Sequence, residues 1–287
     1  MRRATENREL IEIATPVGLI RGTYHRPYNY CMRQDSNRIA VVFVNSMSPT
    51  RAANGDSAVY FADSIAELGY PSFRLDLPGF GDSEDDAPPE LHDYINRGGY
   101  ASSASAGMEE ITARFNLRGV VIVGHCAGTV SALFTASMSK VCKGLVLMAP
   151  YFYLTNVIKA KSAQESRPQV HEAMLPENAN LPLLRCWQDV TLRGLPIMIL
   201  NKPERKSQEM KARSRTFDYL NYVVKIAGQD ARITVRLAEG SDHSFSNRLG
   251  RVAVRQHVES WLNANFPIKP ANYKNVLLRP ELEEMNV

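Results

Sequence analysis

The stretch Val120-Val121-Ile122-Val123-Gly124-His125-Cys126-Ala127-Gly128-Thr129-Val130-Ser131-Ala132-Leu133-Phe134 decides the fold. An unbroken β-branched run reads as a strand buried on both faces. The small and apolar residues after Gly128 read as a helix. Between the two lies Gly-x-Cys-x-Gly. A turn this tight forces its central residue into strained dihedral angles, and the flanking glycines let strand and helix approach without Cβ clashes. Strand, turn and helix in that order present the central side chain as a nucleophile. The helix would point its N-terminal N–H groups at the Cys126 thiol, which is expected to lower its pKa. Free cysteines are more often small buried core residues, but packing alone does not ask for glycine on both sides.

Outward from this turn, short apolar runs alternate with helical patterns. Strands are expected at Leu10–Ala14, Leu19–Tyr24, Ile39–Asn45, Ser72–Leu75, Val120–Val123, Gly144–Met148, Ile197–Leu200 and Arg232–Leu237. Helices are expected at Ser57–Leu68, Met108–Phe115, Thr129–Met138, Gln208–Ala227 and Arg248–Asn263. The first two strands are joined by the short turn Thr15-Pro16-Val17-Gly18 and should pair antiparallel. The rest alternate with helices and should form an open, mostly parallel eight-stranded α/β sheet with helices on both faces. Arg97–Gly107, rich in small residues, reads as a flexible loop. Nearly fifty residues separate Met148 from Ile197, too long for a bare loop, so a small helical cap is expected over 151–190. The core would then be 1–150 with 191–266, followed by a Pro- and Glu-containing tail over 267–287.

Composition excludes several classes. The 287 residues are 44% hydrophobic and 22% charged, as in a folded globular chain. The excess of 34 Lys+Arg over 30 Asp+Glu, +4, is too mild to argue for nucleic acid. Cys31, Cys126, Cys142 and Cys186 form no Cys-x-x-Cys pair, so neither a zinc ribbon nor a redox motif is expected, and no metal or other cofactor is implied. No run approaches the roughly 20 apolar residues of a membrane span, nor is a signal peptide evident. A cytoplasmic location with free thiols is the expectation, and the oligomeric state is open.

The elbow, together with Asp76-Leu77-Pro78-Gly79-Phe80-Gly81-Asp82-Ser83 after the fourth strand, resembles the α/β-hydrolase superfamily over about residues 8–265. Asn45-Ser46-Met47-Ser48-Pro49-Thr50-Arg51 stands in place of that superfamily's His-Gly oxyanion loop. With the cysteine elbow, this departure more narrowly resembles the exosortase-system-associated hydrolases, whose oxyanion loop reads Gly-Gly-Pro-Gln-x-Arg. Dienelactone hydrolases and polyhydroxyalkanoate synthases resemble the elbow too.

What the resemblance implies can be placed residue by residue. His243, in Glu239-Gly240-Ser241-Asp242-His243-Ser244-Phe245 after the last strand, takes the place of the general base. Glu204 stands after the seventh strand, where an acid is expected, with Asp218 and Asp242 as alternatives. The oxyanion hole would combine the amide of Ala127 with that of Met47, or else of Ser46. Around the substrate stand Ser46, Arg51, His125, Tyr151 and Trp187. Arg51 would meet a carboxylate or phosphate unless it is simply a surface charge. His125 should turn away from the nucleophile and pack, and the aromatics are equally at home as packing.

Cysteine in place of serine bears on the reaction. When a thiol attacks an ester, the enzyme's thiolate is the better leaving group and the tetrahedral adduct falls back. On a thioester the two leaving groups are matched. The expected activity is therefore an acyltransferase or thioesterase, with acyl-CoA or acyl-carrier protein as donor and a small-molecule acceptor or water completing the cycle. A carboxylic-ester or lactone hydrolase is the alternative, and a non-catalytic binding protein of the same fold is a third.

Overall fold

The structure is a computed structural model that describes residues 7–16, 18–27, 38–45, 47, 50–152, 175, 179–202 and 219–268. All eight expected strands are present: β1 Arg8–Thr15, β2 Gly18–His25, β3 Ile39–Asn45, β4 Ser72–Asp76, β5 Gly119–His125, β6 Cys142–Met148, β7 Ile197–Asn201 and β8 Ile233–Leu237. They form one sheet in the order β1-β2-β4-β3-β5-β6-β7-β8. β1 pairs antiparallel with β2 and β2 antiparallel with β4, while every pair from β4–β3 to β7–β8 is parallel. Parallel strands need crossovers on the sheet faces, which explains why β3 and β5 are almost uniformly buried.

Among the described residues the helices are α1 Ser57–Glu67, α2 Leu91–Asn96, α3 Ala101–Arg114, α4 Gly128–Met138, α5 Leu181–Leu192, α6 Tyr219–Ile226 and α7 Arg248–Asn265. They sort onto two faces. Val42, Val44 and Ile122 belong to the core beneath α3, α4 and α5, with Met108, Val130, Leu133 and Trp187. Phe43, Val121 and Val123 belong to the core beneath α1 and α7, with Phe61, Ile65, Val258 and Trp261. Alternate residues of one strand thus serve opposite cores.

The structure corrects one expectation about the elements. The stretch expected as a loop over Arg97–Gly107 is a turn only at 97–100, because α3 begins at Ala101. Ala101, Ser103, Ala104, Ser105 and Gly107 are buried, with Gly107 close to Ile13 and Ile20 of the outer hairpin. Small side chains here let the helix lie close to its neighbours. The helix expected over 208–227 is described only from Tyr219 to Ile226. Of the expected cap, 153–174 and 176–178 lie outside the described residues, as does 269–287 of the tail. The described end of that segment forms α5, capped by Asn180, whose side chain accepts from the Leu183 amide at 3.1 Å, and packed on α4. Among the described residues no helix is long and apolar enough to cross a membrane.

The crossover from β5 to α4 is tight. A Cβ on Gly124 would stand 2.5 Å from the Gly128 carbonyl oxygen and 2.8 Å from the Ala132 Cβ, and one on Gly128 would stand 2.6 Å from the Val44 carbonyl oxygen. Backbone atoms cannot yield there, so Gly124→Ala should cost about 1–3 kcal/mol by overpacking. A urea titration of the variant checks this, and an unchanged midpoint would mean the two elements are looser than the geometry says.

Candidate active site

Cys126 sits at the top of this crossover with φ 54°, a left-handed conformation unusual for a residue with a side chain. Its amide donates to the Met148 carbonyl at 2.9 Å, and its carbonyl accepts from the Thr129 amide at 3.1 Å and the Thr129 hydroxyl at 2.6 Å. Both backbone groups of the strained residue are therefore satisfied. Thr129 is fully buried, and its hydroxyl also accepts from the Tyr151 amide at 3.0 Å. One side chain thus ties the turn at Cys126 to the chain leaving β6.

His243 is carried on the loop between β8 and α7. Its Nε2 stands 3.4 Å from the Cys126 Sγ. Around it the loop is stiffened: the Ser241 hydroxyl donates to the Ala238 carbonyl at 2.6 Å, and Phe245 is wholly buried with φ 50°. Both carboxylate oxygens of Asp242 are taken by Ser246, through its amide and its hydroxyl at 2.8 Å each. Asp242 is thereby engaged as a turn-former. Glu204, Asp218 and Ser46 lie outside the described residues.

This constellation decides the family of shapes. A mostly parallel sheet in this strand order bears Cys126 on a strained β5–α4 turn and His243 after the last strand. The fold is that of the α/β hydrolases. The family profile for the alpha/beta hydrolase fold matches residues 47–184. No curated protein sequence matches the chain. Among solved structures, the esterase Pf2001 of Pyrococcus furiosus superposes with a TM-score of 0.62 at 13% identity, over 90% of this chain and 91% of that one. Est1E of Butyrivibrio proteoclasticus, solved with ferulic acid bound, gives 0.58 at 12% identity over 89% and 98%. The dienelactone hydrolase of Anabaena variabilis gives 0.57 at 14% identity over 90% and 97%.

Within the α/β-hydrolase frame the remaining residues separate clearly. Ala127, almost fully buried, caps the start of α4, and its amide acts to lower the pKa of the Cys126 thiol. Met47 and Tyr151 are each 42% exposed, and the Tyr151 ring meets the His243 ring edge-on at 6.3 Å. Trp187 does not line a substrate site. It is fully buried under α4, and its indole N–H donates to the Val223 carbonyl at 2.8 Å. An indole can be buried this way because its one donor finds a backbone acceptor.

Arg51 is neither a surface charge nor a free anion receptor. Its guanidinium pairs with the fully buried Asp76, reaches Asp82 at 2.7 Å, and donates from Nε to the Thr23 hydroxyl at 2.8 Å. Asp76 also accepts from the amides of Arg51 and Asp82, and a Cβ on Gly81 would collide with its carboxylate. The Asp76–Ser83 motif thus serves to bind the loop after β3 to the loop after β4. The bond continues inward. Arg74 donates to the Arg51 carbonyl at 3.1 Å and to His25 Nε2 at 2.8 Å, and His25 donates from Nδ1 to Asp63 at 2.7 Å. Sequence reasoning found the motif but not this role, for which the nearness of a lone Arg51 was the one available signal.

The electrostatics revise the expected thiolate. Burial pushes the Cys126 thiol above its ordinary value, and the Ala127 amide opposes this only in part. Burial also lowers His243, helped by the charge of Lys202 and opposed by Asp242. Both shifts favour the uncharged forms, a thiol beside a neutral imidazole, over a thiolate–imidazolium pair. Two outcomes follow. Alkylation of Cys126 by iodoacetamide, followed by peptide mass spectrometry, should rise with pH toward an alkaline midpoint, whereas a flat rate from about pH 5 to about pH 8 would mean a preformed thiolate. Asp76→Ala leaves Arg51 without its buried partner and should lower the unfolding free energy by about 3 kcal/mol, and a loss under about 0.5 kcal/mol, the range of ordinary surface changes, would remove Asp76 from its role as a latch.

Proposed function

We propose that the protein transfers or hydrolyses acyl groups held as thioesters, on acyl-CoA or acyl-carrier protein, through a covalent acyl–Cys126 intermediate. The observation that carries this reading is the 3.4 Å approach of His243 Nε2 to a thiol raised on a strained turn. His243 takes the Sγ proton as the sulfur attacks the thioester carbonyl carbon. The amides of Ala127 and Met47 hold the developing oxyanion. As the adduct collapses, the carbon–sulfur bond to the donor breaks and His243 hands its proton to the departing thiolate. An alcohol, an amine or water then enters. His243 takes its proton, the acyl–Cys126 bond breaks, and the proton returns to Sγ.

Glu204, three residues beyond the end of β7, is our choice for the carboxylate that orients His243. The exposed Met47 and Tyr151 offer apolar surface to an acyl chain beside the reacting sulfur, and residues 151–190 would cover it as a cap. The cysteine elbow and the altered loop after β3 also support the narrower likeness to exosortase-system-associated hydrolases. A second reading, a carboxylic-ester or lactone hydrolase, draws on the esterases and the dienelactone hydrolase that share the fold.

Incubation with acetyl-CoA and hexanoyl-CoA, acid quench and peptide mass spectrometry tests the proposal. The Cys126 peptide should gain the acyl mass, and Cys126→Ala should lower turnover by about 10³-fold or more. Turnover of nitrophenyl esters without any response to thioesters would favour the hydrolase reading. Because neutral His243 is the base, the acid limb of kcat/KM should fall at a pH below the ordinary histidine value.

A further inference from the structure

His125 was expected to be a packing residue or to line the substrate site, and the structure gives it a more specific contact. It is the last residue of β5, one position before the nucleophile. Its Nε2 stands 2.9 Å from the carbonyl oxygen of His243. A carbonyl only accepts, so Nε2 carries the proton, and burial keeps the ring neutral with Nδ1 bare. The ring is packed against His243 and Phe245, with both centroids at 5.7 Å. Other fastenings of this loop end on Ala238, Ser246 and the buried Phe245. Among the described residues, the His125 bond is the one that lands on the backbone of His243 itself.

We infer that His125 is a positioning residue that sets the reach of His243 to Cys126 by anchoring the His243 carbonyl to the strand that bears the nucleophile. The inference rests on the reading of Cys126 and His243 as the reacting pair. Its physical content is a short closed circuit. Cys126 is bonded in sequence to His125, His125 bonds the His243 carbonyl, and the His243 ring returns to Sγ at 3.4 Å. Each link spans one residue or one hydrogen bond, so the sulfur–nitrogen distance is held locally. A carboxylate on Nδ1 would fix the rotation of the ring but not the height of the loop above β5. The two restraints are therefore complementary. Misplacement of a reacting group by about 1 Å can cost about 10²-fold in rate.

The test compares His125→Gln, whose side-chain amide nitrogen reproduces the reach of Nε2, with His125→Asn, whose amide is too short, and with His125→Phe, which fills the space without a donor. Acylation of Cys126 by acetyl-CoA should fall about 10- to 100-fold in the Asn and Phe variants, with KM within about twofold, and should stay within about threefold of wild type in the Gln variant. The acid limb should move upward in the Asn and Phe variants, as the freed loop hydrates His243 while Lys202 and Asp242 still act on it. Thermal denaturation runs in parallel. Variants that lose stability but acylate at the wild-type rate would overturn the inference, as would equal losses in the Gln and Asn variants. If Phe does not fold, the Gln and Asn pair still decides. Failure of the underlying reading looks different, because then Cys126→Ala retains turnover and no variant forms an acyl adduct.

Discussion

The left-handed backbone at Cys126 is the constraint on which the site depends. A side chain at φ 54° is unfavourable on its own. It persists because the surroundings over-determine it: the strand before it is fixed by pairing to β3 and β6, the helix after it begins at once, and Gly124 and Gly128 let their backbones meet. The same turn lifts the thiol off the sheet and aims the Ala127 amide at it. Everything chemical about the residue follows from where this turn places it, half-buried at the carboxyl edge of a parallel sheet.

That placement also sets the protonation state. A helix N-terminus and a neighbouring imidazole both invite a thiolate, but burial favours the uncharged sulfur. His243 is likewise shifted toward its neutral form, so in the proposed reaction the proton would move when the substrate arrives rather than beforehand. On the proposed route, the cysteine would then be activated on demand, as a serine nucleophile is, while keeping a thiolate's leaving-group strength. A resting thiol is also less open to oxidation and stray alkylation than a preformed thiolate.

Much of this was legible in the chain because local rules and tertiary structure agree. The β-branched runs became strands, and Gly124-His125-Cys126-Ala127-Gly128 carried its own turn. The less legible parts are those where meaning depends on a distant partner. Nothing local distinguishes Ala101–Gly107 as helix rather than loop until its small residues find the outer hairpin to pack on. Arg51 looks like an exposed charge until Asp76 is brought under it by the β3–β4 pairing. Trp187 looks like a pocket aromatic until Val223 supplies its acceptor. His125 shows its contact only because two segments more than a hundred residues apart meet.

The partly buried chain of Asp63, His25, Arg74, Arg51 and Asp76 has a consequence for how the molecule responds to damage at its edge. It crosses from α1 through β2 and β4 to the loop beside the nucleophile, and Arg8 of β1 joins it at Asp63. Edge strands are usually the first to fray, and fraying is usually local. Here the edge is wired to the centre: opening the β1–β2 hairpin removes Thr23, His25 and Arg8 from the network of hydrogen bonds and charges that holds Arg51 in place. The outer hairpin thus acts as a remote support of the loop after β3, and β1 and β2 are mechanically tied to the candidate site.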